Sequence, residues 1–319
     1  MFAARGIAVS LSTFVIVYCA LSVAITCGSR QFRAWRRVSA RRTADLLFAL
    51  RLFPLITAAV VTAVFTTPSF LLLEPRTIDE PLGKVSLALG AFALTLGVIG
   101  MLNTATAMHR ASRVTAEWTQ GARSAKSLTS IPVLRVSPVW PAMTVTGILH
   151  PRILLSRAAE LRLTDNELQA ALNHELAHVR FGDNLKKLVM RFVVFPGMRR
   201  LENAWLEAIE YAADDAAVGT TRDALDLAAA LIKLSRGIPP DSIADFTIGL
   251  LKNPPSTVCT RVERLLVWAE EGTVEPPKRY RWQRVTVGFI AMLALLTTFA
   301  ITYNDLLVRV HTATEWLVR

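Results

Sequence analysis

The chain has 319 residues, of which 52% are hydrophobic and only 19% are charged, yet its formal net charge is +11. This composition argues against an ordinary soluble domain, and its long uncharged apolar runs argue against a nucleic-acid-binding protein, which would seldom carry them. The three cysteines form no CxxC pair, which excludes a disulfide framework and a cysteine-based metal site.

Four segments are long and apolar enough to cross a bilayer, which takes about 20 residues. They cover residues 7–27, 52–73, 85–108 and 285–303. We therefore predict a mainly α-helical integral membrane protein. Its first three spans lie within residues 1–108, and the fourth span opens the C-terminal region, residues 285–319.

The positive charges predict how these spans are oriented, because cytoplasmic loops collect Lys and Arg. Six arginines follow the first span between Arg30 and Arg42, which also argues against a cleaved signal peptide. Further basic clusters follow the third span and precede the fourth. We therefore expect a cytoplasmic domain over residues 109–284, an extracytoplasmic N-terminus and a short extracytoplasmic C-terminal tail. The expected location is the inner membrane of a bacterium.

The segment between the third and fourth spans is long enough for one α+β domain. Val, Ile, Pro and Thr are frequent from Ile131 to Leu155, which predicts short strands. From Thr164 onward the pattern is helical, and Thr164 with Glu167 predicts a capping box at the first helix start. Further helices are predicted at residues 201–218 and 222–234, and a connection at 161–163.

The first of these helices contains the pattern HExxH between His174 and His178. Residues four apart share one face of a helix, so both imidazoles can bind one metal ion. Glu175 is offset from that face, and its carboxylate can accept a proton from water on the metal. The pattern therefore predicts a zinc site with Glu175 as the catalytic base.

A catalytic zinc site needs a third protein ligand and leaves one position to water. Glu210 and Asp214 lie four residues apart on a later predicted helix, among Ala and Tyr rather than lysines. Glu210 is the first candidate for the ligand, and Asp214 is placed to orient a histidine. The competing interpretation is a solvated acidic helix face. Three other carboxylates remain open as alternative ligands: Glu207, Asp215 and Glu202.

These motifs together resemble the membrane peptidases of the β-lactam-sensing BlaR/MecR type and, more distantly, the HtpX-type and CAAX-prenyl proteases. The matching stretch runs from about Ile148 to Val218. The family's order of three spans, a cytoplasmic protease domain and a fourth span is also similar. The stretches that carry the resemblance are His150-Pro151-Arg152-Ile153-Leu154-Leu155, Leu163-Thr164-Asp165-Asn166-Glu167-Leu168, His174-Glu175-Leu176-Ala177-His178-Val179-Arg180, Asp183-Asn184 and Glu210-Tyr211-Ala212-Ala213-Asp214-Asp215-Ala216-Ala217-Val218.

The resemblance implies a zincin-like domain with one Zn²⁺ per chain. It implies that His174, His178 and Glu210 are the ligands, that Glu175 is the base and that Asp214 supports the ligands. Two features depart from the family. Ala213 stands where the family often has a cysteine, and only about fifteen residues follow Asn304. We therefore expect no penicillin-binding sensor domain in this chain, and a trigger that lies elsewhere.

The expected function is that of an integral membrane, zinc-dependent endopeptidase that acts in signal-triggered regulatory proteolysis. The substrate would be a protein: a transcriptional repressor, another membrane protein or the chain itself. No nucleic-acid partner is expected. One rival interpretation is a catalytically silent signalling adaptor that retains the fold, which the intact motif residues argue against. Another is a transporter with an accidental HExxH, which would predict more polar residues inside the spans.

Two smaller features leave alternatives open. Residues 139–149 predict either an edge strand that pairs with an extended substrate or a structural hairpin. The charged residues Arg261, Glu263 and Arg264 predict a solvated amphipathic helix, with an oxyanion-stabilising cation as the alternative.

Overall fold

The computed structural model describes residues 2–28, 39–75, 83–120, 122–124, 131–136, 143–148, 150–235, 248–249, 255–271 and 302–315. The described part of the chain is mainly helical and divides into two compact units. One unit comprises Met1–Gly28, Leu52–Val98 and Glu275–Arg319. The other comprises Ser29–Arg51 and Ile99–Val274, and it contains the HExxH segment.

Among the described residues, three helical segments are long and apolar enough to cross a membrane, with mean hydropathies of 2.2, 2.1 and 2.2. They are α1 (Phe2–Gly28), the continuous stretch Ala40–Leu73 and α4 (Lys84–Thr119). The middle stretch consists of α2 (Ala40–Val61), a π-helical turn (Thr62–Thr66) and α3 (Thr67–Leu73). The first three predicted spans each lie inside one of these segments. Of the predicted fourth span, residues 285–301 lie outside the described residues, and the last two begin a helix at 302–315.

In the first unit, polar side chains connect the apolar helices. Arg5 forms a buried ion pair with Glu74 at 2.9 Å. The hydroxyl of Ser12 donates to the backbone carbonyl of Ser86 at 3.0 Å. Since no water competes inside an apolar helix bundle, such hydrogen bonds help to hold neighbouring helices together.

The second unit contains a five-stranded sheet with the order β1-β2-β4-β3-β5. Strands β2 and β4 are parallel, and the other neighbours are antiparallel. The short strands predicted between Ile131 and Leu155 are confirmed. The strands are β1 (Arg123–Ser124), β2 (Val133–Val136), β3 (Met143–Thr146), β4 (Arg152–Ser156) and β5 (Ile248–Gly249).

The alternative prediction of a free edge strand in residues 139–149 is wrong for the middle of β3. Strand β3 pairs with β4 on one side, and its Thr144 and Val145 pair with β5 on the other. The antiparallel β3–β4 pair agrees with the structural hairpin instead. The backbone groups of Thr144 and Val145 therefore already face another strand of the chain.

Among the described residues, six helices lie wholly in the second unit: α5 (Arg157–Arg162), α6 (Asp165–Phe181), α7 (Asp183–Phe192), α8 (Arg199–Ala217), α9 (Thr221–Ser235) and α10 (Pro255–Glu271). The predicted helices at 201–218 and 222–234 agree with α8 and α9 to within two residues. The predicted connection at 161–163 is largely wrong, because α5 extends to Arg162. The hydroxyl of Ser156 accepts from the N–H of Ala159 and so begins this short helix.

The core of the second unit lies between the sheet and helices α6, α9 and α10. Leu155 of β4, Leu172 of α6, Leu231 and Leu234 of α9, and Leu265 of α10 are all buried in it. Burying a leucine side chain stabilises a fold by about 1.5–3 kcal/mol. This packing holds α6, which carries the HExxH residues, in contact with the sheet and with α8 and α9.

Candidate metal centre

Helix α6 is stabilised at both ends around the HExxH segment. At its start, the Thr164 hydroxyl accepts from the N–H of Glu167 (3.4 Å), and the Glu167 carboxylate accepts from the N–H of Thr164 (2.8 Å). The predicted capping box is therefore confirmed, and Lys233 of α9 adds an ion pair to Glu167 at 2.6 Å. At the other end, Gly182 has a φ of 65°, which ends the helix in the left-handed conformation that glycine favours.

The three predicted metal ligands lie together and are buried. The Nε2 atoms of His174 and His178 are 3.2 Å apart. From Glu210 on α8, Oε2 lies 3.5 Å from His174 Nε2, and Oε1 lies 3.8 Å from His178 Nε2. Two nitrogens that each lie about 2.05 Å from one tetrahedral zinc ion would be about 3.3 Å apart. The spacing of these donors therefore fits a single ion, and the three ligand atoms all lie within 4.8 Å of one another.

A carboxylate orients the other ring nitrogen of each histidine. Asp214 Oδ1 lies 3.0 Å from His174 Nδ1, and Asp183 Oδ2 lies 2.8 Å from His178 Nδ1. Both aspartates are fully buried. A carboxylate on Nδ1 favours the tautomer with its proton there, which leaves the Nε2 lone pair to a metal. This arrangement, together with the donor set, is typical of a zinc site.

Glu175 lies directly after His174 and is fully buried. Among the described residues, the cluster that could hold a metal consists of the two histidines and Glu210, and it does not include Glu175. Its carboxylate interacts electrostatically with Arg261 of α10. Glu175 is therefore part of the same buried site without belonging to the donor set.

The alternative third ligands lie away from this cluster. Glu207 is exposed and accepts a hydrogen bond from the Tyr211 hydroxyl at 2.8 Å. Asp215 is exposed and pairs with Arg264, and Glu202 lies 3.9 Å from Arg191. Asp215 is offset by one residue from the buried Asp214 and so lies on another side of the helix. The interpretation of Glu210 and Asp214 as a solvated acidic face is wrong.

The prediction of a solvated helix around Arg261 is wrong for that residue, whose exposed fraction is 1%. Its Nη1 donates to Glu210 Oε2 at 2.8 Å. Its Nε and Nη2 donate to the two oxygens of Asp214 at 2.8 and 2.6 Å. The guanidinium group therefore contacts both a candidate ligand and the carboxylate that orients His174. A buried cation needs charged partners, and these two carboxylates supply them for Arg261.

The charges in the site shift one another's pKa values. Burial by itself would raise the pKa of Asp214 and Glu210, but the positive charge of Arg261 and the contacts with His174 together outweigh it and hold both pKa values below their usual range. Burial alone would lower the pKa of His174, but its hydrogen bonds to Asp214 and Glu210 raise that pKa to about 9. A metal ion would compete with that proton for His174, so metal binding would release a proton.

Sequence reasoning assigned no role to Asp183 and favoured the wrong one for Arg261. Asp183 lies five residues after His178, and the turn at Gly182 brings its carboxylate back to the imidazole. Arg261 lies between Val258 and Leu265, at the spacing of one buried helix face. That spacing was visible in the sequence and could have indicated a buried arginine, whereas its two partners could not be read from it.

A scan against models of known protein families found no match to the chain, and a search of curated proteins found none either. Any functional assignment must therefore come from the residues and their geometry.

Proposed function

We propose that this chain is an integral membrane, zinc-dependent endopeptidase that hydrolyses peptide bonds of a protein substrate. The observation that carries the proposal is the buried set of His174, His178 and Glu210, in which a carboxylate holds the Nδ1 atom of each histidine. Three protein ligands with one position left for water are typical of catalytic zinc, whereas structural zinc usually has four protein ligands. A zinc ion held there would supply Lewis acidity for the attack of water on a peptide carbonyl.

Within this proposal, Glu175 is the general base. It takes the proton of the attacking water and returns it to the departing amine. Its position next to His174 but outside the donor set supports the role, because proton transfer then does not compete with metal ligation. Asp214 and Asp183 keep the two imidazoles oriented through the reaction. The buried surroundings strengthen each of these electrostatic interactions relative to water.

The proposal places the protein in the bacterial inner membrane, with the domain of residues 109–284 in the cytoplasm. The three candidate spans support contact with lipid, and the arginine clusters support the orientation. A zincin-like fold for the cytoplasmic domain and a fourth span at 285–303 belong to the same proposal. A repressor, a membrane protein or the chain itself would be a substrate in signal-triggered regulatory proteolysis.

Zinc content of the detergent-purified protein tests this function. We compare the wild type with Glu210→Ala and Glu175→Gln, with Glu207→Gln as the matched control on the same helix as Glu210. We expect stoichiometric zinc in the wild type, the control and Glu175→Gln, and loss of zinc in Glu210→Ala. Cleavage of labelled casein should disappear in Glu175→Gln. Absence of zinc from every variant would refute a metallopeptidase, and zinc without any proteolysis by the wild type would favour the silent adaptor.

A further inference from the structure

The feature that the proposed reaction leaves unexplained is Arg261. None of the three candidate metal ligands lies on α10, yet this helix places a guanidinium group inside the site at 1% exposure. A buried arginine requires charged partners, and its guanidinium group donates to both Glu210 and Asp214. The apolar neighbours Val258 and Leu265 anchor it on the buried face of the helix.

The contact with Glu210 bears on how that carboxylate can bind a metal. Both of its oxygens face the histidines: Oε2 lies 3.5 Å from His174 Nε2, and Oε1 lies 3.8 Å from His178 Nε2. A glutamate in such a position can bind through one oxygen or through both. Arg261 Nη1 donates to Oε2 at 2.8 Å, so this oxygen already has a charge-assisted hydrogen bond.

The number of glutamate oxygens on the ion decides whether water binds as a fourth or as a fifth ligand. Two imidazoles and one oxygen make three protein ligands, and a fourth, tetrahedral position stays open. Two imidazoles and both oxygens make four protein ligands, so the attacking water could bind only as a fifth ligand. The hydrogen bond from Arg261 favours the first arrangement, because binding through Oε2 would compete with it for the same oxygen.

We propose that Arg261 is a positioning residue that keeps Glu210 a ligand through one oxygen and so preserves the fourth, tetrahedral position for the attacking water. This inference rests on the proposed function. The fork of the guanidinium group also joins Glu210 to Asp214, which holds His174 Nδ1 at 3.0 Å. Arg261 thereby sets the geometry both of the ligand Glu210 and of Asp214, the carboxylate behind His174. A lysine could reach one of these carboxylates but cannot bridge both with a planar fork.

Cobalt substitution tests the proposal without depending on catalysis. The full-length protein is loaded with Co²⁺, whose visible absorption weakens several-fold when its coordination number rises from four to five. We compare the wild type with Arg261→Met and Arg261→Lys. The matched control is Arg264→Met, because Arg264 lies three residues along the same helix and pairs with the exposed Asp215.

We expect Arg261→Met to keep one metal ion per chain, with zinc affinity equal to or above that of the wild type. Its cobalt absorption should fall several-fold, and its cleavage of labelled casein should fall by about 10–100-fold, as for other residues that orient metal ligands. Arg261→Lys should give a cobalt absorption between those of the wild type and Arg261→Met. It carries the test alone if Arg261→Met does not fold. Arg264→Met should match the wild type in every measurement.

A purely structural role predicts a different pattern. Both Arg261 variants would then lose zinc in step with their melting temperature, and the cobalt spectrum of the remaining loaded protein would match the wild type. That result would overturn the proposal while leaving the metallopeptidase function intact. Failure of the wild type itself to bind zinc or cobalt would refute the proposed function, and this inference with it.

Discussion

Removal of the carboxylate behind His178 offers a sharp test of the metal centre. Asp183 is fully buried and lies 2.8 Å from His178 Nδ1. A hydrogen bond to a charged group contributes about 1.5–3 kcal/mol. Since 1.4 kcal/mol corresponds to a tenfold change in an equilibrium constant, Asp183→Ala should weaken zinc binding by about 10–100-fold. Asp183→Asn keeps a hydrogen-bond acceptor but loses the charge, so it should weaken zinc binding by about 1 kcal/mol, or about fivefold.

The assay is competition for zinc between the purified protein and a chelator of known affinity, at fixed pH and ionic strength. Asp215→Asn is the matched control, because this exposed aspartate on α8 pairs with Arg264 and lies outside the donor set. It should leave the dissociation constant unchanged. A folded Asp183→Ala variant whose zinc affinity lay within twofold of the wild type would show that Asp183 does not support His178 as a ligand. The geometric argument for the site would then fail.

Three further outcomes are expected. His174 has a pKa of about 9 and must lose its proton to bind a metal ion, so zinc affinity should fall about tenfold per pH unit as the pH drops from 8 to 6. Chelator competition measures this affinity, and an affinity that does not change with pH would contradict the prediction. Thr164→Ala should lower the free energy of unfolding by about 1 kcal/mol through loss of the capping box at α6, measured by denaturant titration, with no change in the metal ligands. Cys259 is exposed on α10, so a membrane-impermeant maleimide should label it only after permeabilisation of the cells; labelling in intact cells would reverse the predicted orientation.

The helices that are long and apolar enough to span a membrane, and the helix around HExxH, were predictable because both depend on local sequence. About twenty uncharged apolar residues are long enough to span a bilayer whatever surrounds them. Thr164 and Glu167 likewise form their capping box within four residues. The extension of α4 to Thr119 was not predicted, because the residues after 108 are too polar to count toward a span.

The strand region shows a feature that the local sequence could not decide, namely which strands pair. Composition predicted the short strands correctly, but it left residues 139–149 as either an edge strand or a hairpin. Pairing decides between them, and β5, which occupies the far side of Thr144 and Val145, lies more than 100 residues along the chain. Strand neighbours that are distant in sequence leave no signal in the periodicity of either strand.

The sequence by itself determined that His174 and His178 can act together, because the pitch of a helix places residues four apart on one face. It also determined that Glu175 is offset from them, and it favoured Glu210 without excluding Glu207. Only the tertiary structure decided the rest. The packing of α8 and α10 against α6 brings Glu210 to the histidines and joins it to Arg261, 51 residues away. Such contacts depend on which helix faces meet in the core, and that is a property of the whole fold.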